Sequence, residues 1–175
     1  MNSRRYIWLY IAVLVMSLIV ATQGHAYIID FENLSSMEPV TNQYSALGLS
    51  FTHATVLTAG LSLNEIDFPP TSGTNVVFDD GGSIVVDFSA PVMNAGGYFT
   101  YATNLTIEAF NSSHALIGTA FSSTSSNFGS NDFLQIAFAG GISQLVISGD
   151  PAGSSFTLDD FTATPSAAVP EPSVL

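Results

Sequence analysis

Basic side chains are almost absent from this chain. Its 175 residues include 14 Asp and Glu but only two Lys or Arg, and both of these, Arg4 and Arg5, stand near the amino terminus. Binding to nucleic acid depends on Lys and Arg contacts to phosphates, so the composition excludes that class of partner. The same shortage argues against anionic lipids and phosphorylated substrates. Any carboxylate buried in such a chain must be hydrogen-bonded, protonated or bound to a metal ion.

Cysteine and the common catalytic motifs are also missing. Small exported eukaryotic domains usually depend on disulfides, so a cysteine-free exported domain fits a bacterial surface protein better. The sequence has no Gly-x-Ser-x-Gly elbow, no His-Glu-x-x-His motif and no Gly-rich phosphate loop opening a helix. Paired carboxylates could in principle hydrolyse glycosides, but 14 acidic residues always offer some pair. We therefore predict a non-enzymatic protein, with a glycosidase as the alternative.

The amino terminus has the three zones of a secretory signal peptide. The basic pair Arg4–Arg5 precedes the apolar run 6–20, and a short polar tail follows with the small residues Gly24 and Ala26. The run is shorter than the roughly 20 apolar residues of a membrane-spanning helix. We therefore expect residues 1–26 to direct Sec-dependent export and to be removed by signal peptidase. The protein would then reach the cell envelope, the cell surface or the medium with a formal charge of −14.

The rest of the sequence consists of short apolar runs separated by turn residues, without an extended helical period. This pattern predicts an all-β fold, a jelly roll of two packed antiparallel sheets spanning residues 27–164, with a Pro-rich linker at 165–175. A hairpin turn is expected at Asp79–Gly82, and binding is expected in the long loops 61–74 and 122–132. The predicted strands are 27–32, 47–58, 75–78, 83–88, 93–101, 105–110, 116–121, 133–138, 142–148 and 156–163.

In the last predicted strand, the apolar residues do not all fall on the same face. Phe156 and Leu158 point to one face of a regular strand, whereas Phe161 and Ala163 point to the other. All four can reach the core only if the register shifts between them. We therefore predict a β-bulge at Asp159–Asp160, which would re-aim two carboxylates.

Glu32 lies at the end of the first predicted strand and could meet these two carboxylates, because the first and last strands of jelly rolls often lie together. A group of Glu32, Asp159 or Asp160 and backbone carbonyls suits Ca²⁺, which takes six to eight oxygen ligands. We expect a structural calcium ion here. The alternative is that the two Asp residues simply face solvent.

Two further groups are candidates for ligand binding. Phe99 and Tyr101 share one face of a strand, opposite to Tyr98, and could stack on a sugar ring, with packing in the core as the alternative. Glu65 and Asp67, in the loop 61–74, could bind a ligand or a second metal ion, with a solvated loop as the alternative. An extracellular polysaccharide is the expected partner.

Residues 169–173, Val-Pro-Glu-Pro-Ser, resemble the start of a PEP-CTERM sorting signal. In that family the motif precedes a membrane helix and an Arg-rich end, and exosortase systems of exopolysaccharide-producing Gram-negative bacteria recognise the whole signal. The chain given ends at Leu175, either because it is truncated or because the anchor is lost. Exosortase is therefore an expected partner only if the full signal exists, and membrane attachment is not carried over.

The body of the chain resembles the jelly-roll domains found in many PEP-CTERM proteins. The segments that carry this likeness are 29–32, 87–92, 105–110, 116–118 and 156–161. The resemblance implies an envelope or extracellular-matrix protein that binds carbohydrate on one sheet face, or a purely structural or adhesive protein without a sugar site. Jelly-roll carbohydrate-binding modules carry a structural calcium in a comparable place, so the resemblance supports the calcium prediction.

Overall fold

The computed structural model describes residues 25–166. The predicted signal peptide, except its last two residues, and the motif at 169–173 lie outside this part. The described residues form ten strands and one short 3-10 helix, Ser45–Leu47. Within 25–166 no helix is long and apolar enough to cross a membrane. The strands are β1 Tyr27–Ile29, β2 Pro39–Val40, β3 Leu49–Thr52, β4 Ala54–Thr58, β5 Asn75–Asp79, β6 Ile84–Tyr101, β7 Thr106–Phe110, β8 Leu116–Phe121, β9 Asp132–Ser148 and β10 Phe156–Pro165.

The ten strands form one continuous hydrogen-bonded sheet that folds into two layers, which we call the first and the second sheet. Two long strands, β6 and β9, belong to both layers. The first sheet has the order β2-β4-β5-β10-β6-β9 and uses residues 92–101 of β6 and 132–137 of β9, with β1 paired to the second half of β10. The second sheet has the order β3-β6-β9-β7-β8 and uses residues 84–88 and 144–147 of the same two strands. All pairings are antiparallel, and the predicted all-β jelly roll is confirmed.

Several strand boundaries differ from the prediction. The run 47–58 divides into β3 and β4 at His53, whose φ of +55° turns the chain, so that β3 pairs with β6 and β4 with β5. The predicted strands on either side of Pro91 form the single strand β6, and those around Gly140–Gly141 form β9. Both breaks are register shifts within one strand, where the chain passes from one sheet to the other.

The Asp79–Gly82 hairpin prediction is wrong. β5 pairs with β4 and β10, whereas β6 pairs with β3, β9 and β10, so the strands on either side of the turn are not partners. Turn residues predict that the chain changes direction, but they do not predict that the two flanking strands pair with each other. Here the turn carries the chain from the first sheet to the second.

The core lies between the two sheets and confirms the predicted bulge in β10. The register of β10 against β6 shifts between Asp159 and Thr162, and Asp160 has a φ of +46°. The side chains on both sides of the shift are fully buried. The Phe161 ring lies 5.6 Å from that of Phe51 in the second sheet and 6.4 Å from that of Phe88. The bulge therefore keeps the whole strand packed while both carboxylates point away from the core, with Asp159 buried beneath the loop 61–74.

Candidate functional site

An aromatic pair lies on the outer face of the first sheet. Tyr98 of β6 is directly opposite Phe133 of β9, with ring centroids 5.1 Å apart and planes inclined by 56°. The next residue of β6, Phe99, points into the core, so Tyr98 points away from it. Phe133 is 47% exposed and Tyr98 is partly exposed. The pair offers aromatic surface to a ligand.

Polar side chains continue along the same face. Asn94 has the same parity as Tyr98, about 13 Å away along the strand. The Gln135 amide of β9 donates a hydrogen bond to Asn94 Oδ1 at 3.1 Å. Gly96 stands between Asn94 and Tyr98 in β6, and it lies so close to β9 that a Cβ would collide with the Leu134 carbonyl oxygen. Because Gly96 has no side chain, a shallow depression separates the aromatic rings from the two amides.

Two threonines of β10 border this region. Thr162 lies opposite Gly96 and Thr164 opposite Asn94, and both are partly exposed. Together these groups form what we call the strip, a row of aromatic, amide and hydroxyl side chains without a charged member. Its side chains are Tyr98, Phe133, Gln135, Asn94, Thr162 and Thr164.

The buried carboxylate of Asp159 ties a loop beside the aromatic end of the strip. Asp159 lies opposite Tyr98 in the register and is 1% exposed. Its Oδ2 accepts the backbone N–H groups of Thr71 and Ser72, at 2.7 and 2.9 Å, and its Oδ1 accepts that of Asp160 at 2.7 Å. Burial raises the pKa of Asp159 from 3.8 to about 6, although these hydrogen bonds oppose the shift.

The three predicted calcium ligands all meet this same loop, but they bind its hydrogen-bond donors. Glu32 Oε1 accepts the N–H groups of Thr74 and Asn75, at 2.8 and 2.6 Å. Asp160 Oδ1 accepts the Ser72 hydroxyl at 2.7 Å. Among residues 25–166 no group of three or more acidic or histidine side chains is placed to hold a metal ion. The carboxylates do not form a shared ligand set as positioned, and calcium stays a prediction.

Sugar stacking on Phe99 and Tyr101 is wrong, because both side chains are fully buried. The Phe99 ring packs 6.2 Å from that of Phe156, and the Tyr101 hydroxyl donates to Asp132 Oδ2 at 2.5 Å. Neither ring has a free face for a ligand. The exposed face of this strand is the opposite one, which carries Tyr98. Sequence reasoning did not identify Phe133, the aromatic partner of Tyr98.

Of the two acidic residues predicted to bind a ligand in the loop 61–74, Asp67 joins this loop to the loop 122–132. Glu65 is exposed. Asp67 accepts the Asn64 amide at 2.7 Å through Oδ2, and its backbone carbonyl accepts the Gly129 N–H at 2.8 Å. Ligand binding by Glu65 and Asp67 stays a prediction.

Comparison with solved structures finds other β-sandwich proteins. The chain is similar to the K2 cleaved adhesin domain of Lys-gingipain, at 10% identity over 80% of this chain and 99% of that one, with a TM-score of 0.52. Also found are the module TmCBM61 in complex with β-1,4-galactotriose (14% identity, 78% and 94% covered, TM-score 0.48) and a variant of the family 29 carbohydrate-binding module CBM29-2 with cellulohexaose (10%, 83% and 94%, 0.48).

No family model matches the sequence, and no curated protein matches it significantly. At 10% identity, the likeness to the adhesin domain shows the fold alone.

Proposed function

We propose that this chain is an exported, non-enzymatic module that binds a neutral extracellular polysaccharide along the strip. The observation that carries the proposal is the exposed Tyr98–Phe133 pair, which shares one sheet face with the hydrogen-bonded amides of Gln135 and Asn94. Aromatic rings pack against the apolar C–H face of a pyranose, and amides and hydroxyls pair with its hydroxyl groups. The strip supplies both kinds of contact side by side.

Charge defines the class of polysaccharide. Residues 27–175 contain no Lys or Arg and all 14 acidic residues, so an acidic polymer would be repelled. The strip itself has no charged member that would attract a cationic polymer. A neutral polysaccharide is therefore the best match.

Two sequence patterns support the proposed cellular setting. The signal-peptide pattern at 1–26 supports export, and the resemblance at 169–173 supports an envelope or matrix protein of an exopolysaccharide-producing bacterium. Sorting by exosortase belongs to this proposal only if a complete sorting signal exists.

Affinity electrophoresis tests the proposal with soluble β-glucan, galactan and xyloglucan in the gel, and with alginate as the acidic comparison. We expect retardation by at least one neutral polymer and none by alginate. Tyr98→Ala and Phe133→Ala each weaken retention about tenfold or more, because exposed aromatic anchors dominate such interfaces. Phe121→Ala is the matched control, since Phe121 is 68% exposed on β8 of the second sheet.

Two outcomes would contradict this assignment. One is retention of the Tyr98 and Phe133 variants equal to that of the unmodified protein. The other is an equal loss in the Phe121 variant, which would move the binding surface to the second sheet.

A further inference from the structure

A cavity of about 290 Å³ lies between the loop 61–74 and the outer face of the first sheet. Leu57, Phe78 and Thr157 line it from the three neighbouring strands β4, β5 and β10, and Leu63 and Phe68 line it from the loop. None of its lining residues belongs to the strip. The volume is close to the lower end of small-molecule pockets, about 300 Å³, and so suits a ligand of monosaccharide size.

The side chain of Thr157 faces this cavity. Thr157 is 4% exposed, and because Phe156 and Leu158 point to the core, its side chain points to the outer face. Two comparable threonines on this face are satisfied: Thr100 donates to the Ser130 carbonyl at 2.7 Å and Thr55 to Asp80 at 3.0 Å.

Thr157 lines the cavity, and its hydroxyl is open to it. The enclosed side-chain oxygen without a hydrogen-bond partner in residues 25–166 is instead Thr103 Oγ1. The Thr157 hydroxyl is therefore accessible to a group that enters the cavity.

The walls of the cavity are apolar and its mouth is polar. Phe68 is fixed by an edge-to-face contact with Phe128, with ring centroids 5.3 Å apart. At the mouth, the Asn64 side-chain amide donates to Asp67 Oδ2 at 2.7 Å, which leaves Asn64 Oδ1 as an acceptor, and Ser154 adds a hydroxyl. No charged side chain lines the cavity.

We propose that this cavity is a second binding site, separate from the strip, for one neutral sugar unit that carries a methyl group in place of a hydroxyl, such as a 6-deoxyhexose. The ring hydroxyls would pair with Thr157, Asn64 and Ser154. The methyl group would lie against the leucine and phenylalanine side chains, where a CH₂OH group would bury a hydroxyl without a partner.

Titration of the ¹⁵N-labelled protein, followed by NMR, tests the proposal with three matched pairs of sugars. These are L-fucose with L-galactose, D-fucose with D-galactose, and L-rhamnose with L-mannose, and the members of each pair differ only by the oxygen at C6. We expect at least one deoxy sugar to shift the amide signals of Thr157 and Phe78. We also expect it to bind about tenfold more tightly than its partner, as one group against an apolar wall can discriminate.

Variants separate this site from the strip. Thr157→Val keeps the shape but removes the hydroxyl, and weakens binding about fivefold. Thr119→Val, at an exposed position of β8, is the matched control and changes nothing. Asn64→Trp closes the mouth from an exposed position and abolishes binding even if the Thr157 variant fails to fold. Tyr98→Ala leaves monosaccharide binding intact, whether or not the strip binds a polymer.

The proposal is overturned if none of the three deoxy sugars binds. It is also overturned if the bound sugar shifts signals elsewhere, or if both cavity variants bind as the unmodified protein does.

Discussion

Mild acidification is expected to stabilise this protein through Asp159. Burial raises the pKa of this carboxyl from 3.8 to about 6, and the side chain is 1% exposed. Because the folded-state pKa lies above the unfolded value, the native state binds the proton first. The cost of the buried charge is therefore present above pH 6, is relieved as the pH falls through 6, and is fully relieved below 3.8.

The magnitude follows from the shift. A change from 3.8 to about 6 corresponds to about 3 kcal/mol between the fully ionised and fully protonated limits. Linkage places about 1 kcal/mol of this gain between pH 7 and pH 5. Burial also raises the pKa of Asp79, so that residue acts in the same direction.

Urea unfolding followed by far-UV circular dichroism at pH 7 and pH 5 measures this gain. Asp159→Asn is expected to reduce it by about 1 kcal/mol, because the titrating group is gone. Glu65→Gln removes one charge from an exposed loop position and keeps the gain, which controls for weaker repulsion among the acidic residues at low pH. The reasoning is refuted if the Asp159 variant gains as much stability on acidification as the unmodified protein does.

Three further outcomes are expected. Removal of calcium with EDTA lowers the melting temperature by several degrees if Ca²⁺ is bound near Glu32, Asp159 and Asp160, and an unchanged melting temperature would contradict the calcium prediction. Leu158→Ala in the core lowers the free energy of unfolding by about 2–5 kcal/mol in urea, whereas Leu61→Ala, at a site 79% exposed, changes it by less than about 0.5 kcal/mol. A panel of chromogenic glycosides releases no chromophore, and release by the purified protein would favour the glycosidase alternative.

The fold could be predicted where side-chain parity was decisive. The bulge at Asp159–Asp160 followed from four apolar residues that a regular strand cannot bury together. The long strands could not be predicted in this way, because Pro91 and Gly140–Gly141 normally end strands. Here they lie where β6 and β9 cross between the sheets, and pairing resumes after each shift.

The candidate site was only half accessible to sequence reasoning. Alternation shows that Tyr98 lies on one face of β6 and that Phe99 and Tyr101 lie on the other, but both faces carry aromatic rings. Which face meets water depends on what packs above it, and that comes from distant strands. In the core, Phe156 of the neighbouring strand β10 packs beside Phe99, whereas on the outer face β9 places Phe133 beside Tyr98.

The shortage of Lys and Arg explains why carboxylates hold the loops near both proposed binding sites through hydrogen bonds to the backbone. Sequence alone left three fates for a buried carboxylate, and in residues 25–166 hydrogen bonding to backbone N–H groups is the one that recurs. Asp79 accepts the N–H groups of Ser155 and Phe156, at 2.8 and 3.0 Å, and the buried Asp159 accepts those of Thr71 and Ser72. The exposed carboxylate of Glu32 accepts the N–H groups of Thr74 and Asn75 in the same way.

Each of these bonds joins segments that are distant in the sequence, as ion pairs do elsewhere, but without a cationic side chain. Protonation of Asp159, which weakens this carboxylate as an acceptor, therefore acts directly on the loop that borders the strip and covers the cavity. Acidification is thus expected to stabilise the fold as a whole while it loosens the hydrogen bonds that hold this loop.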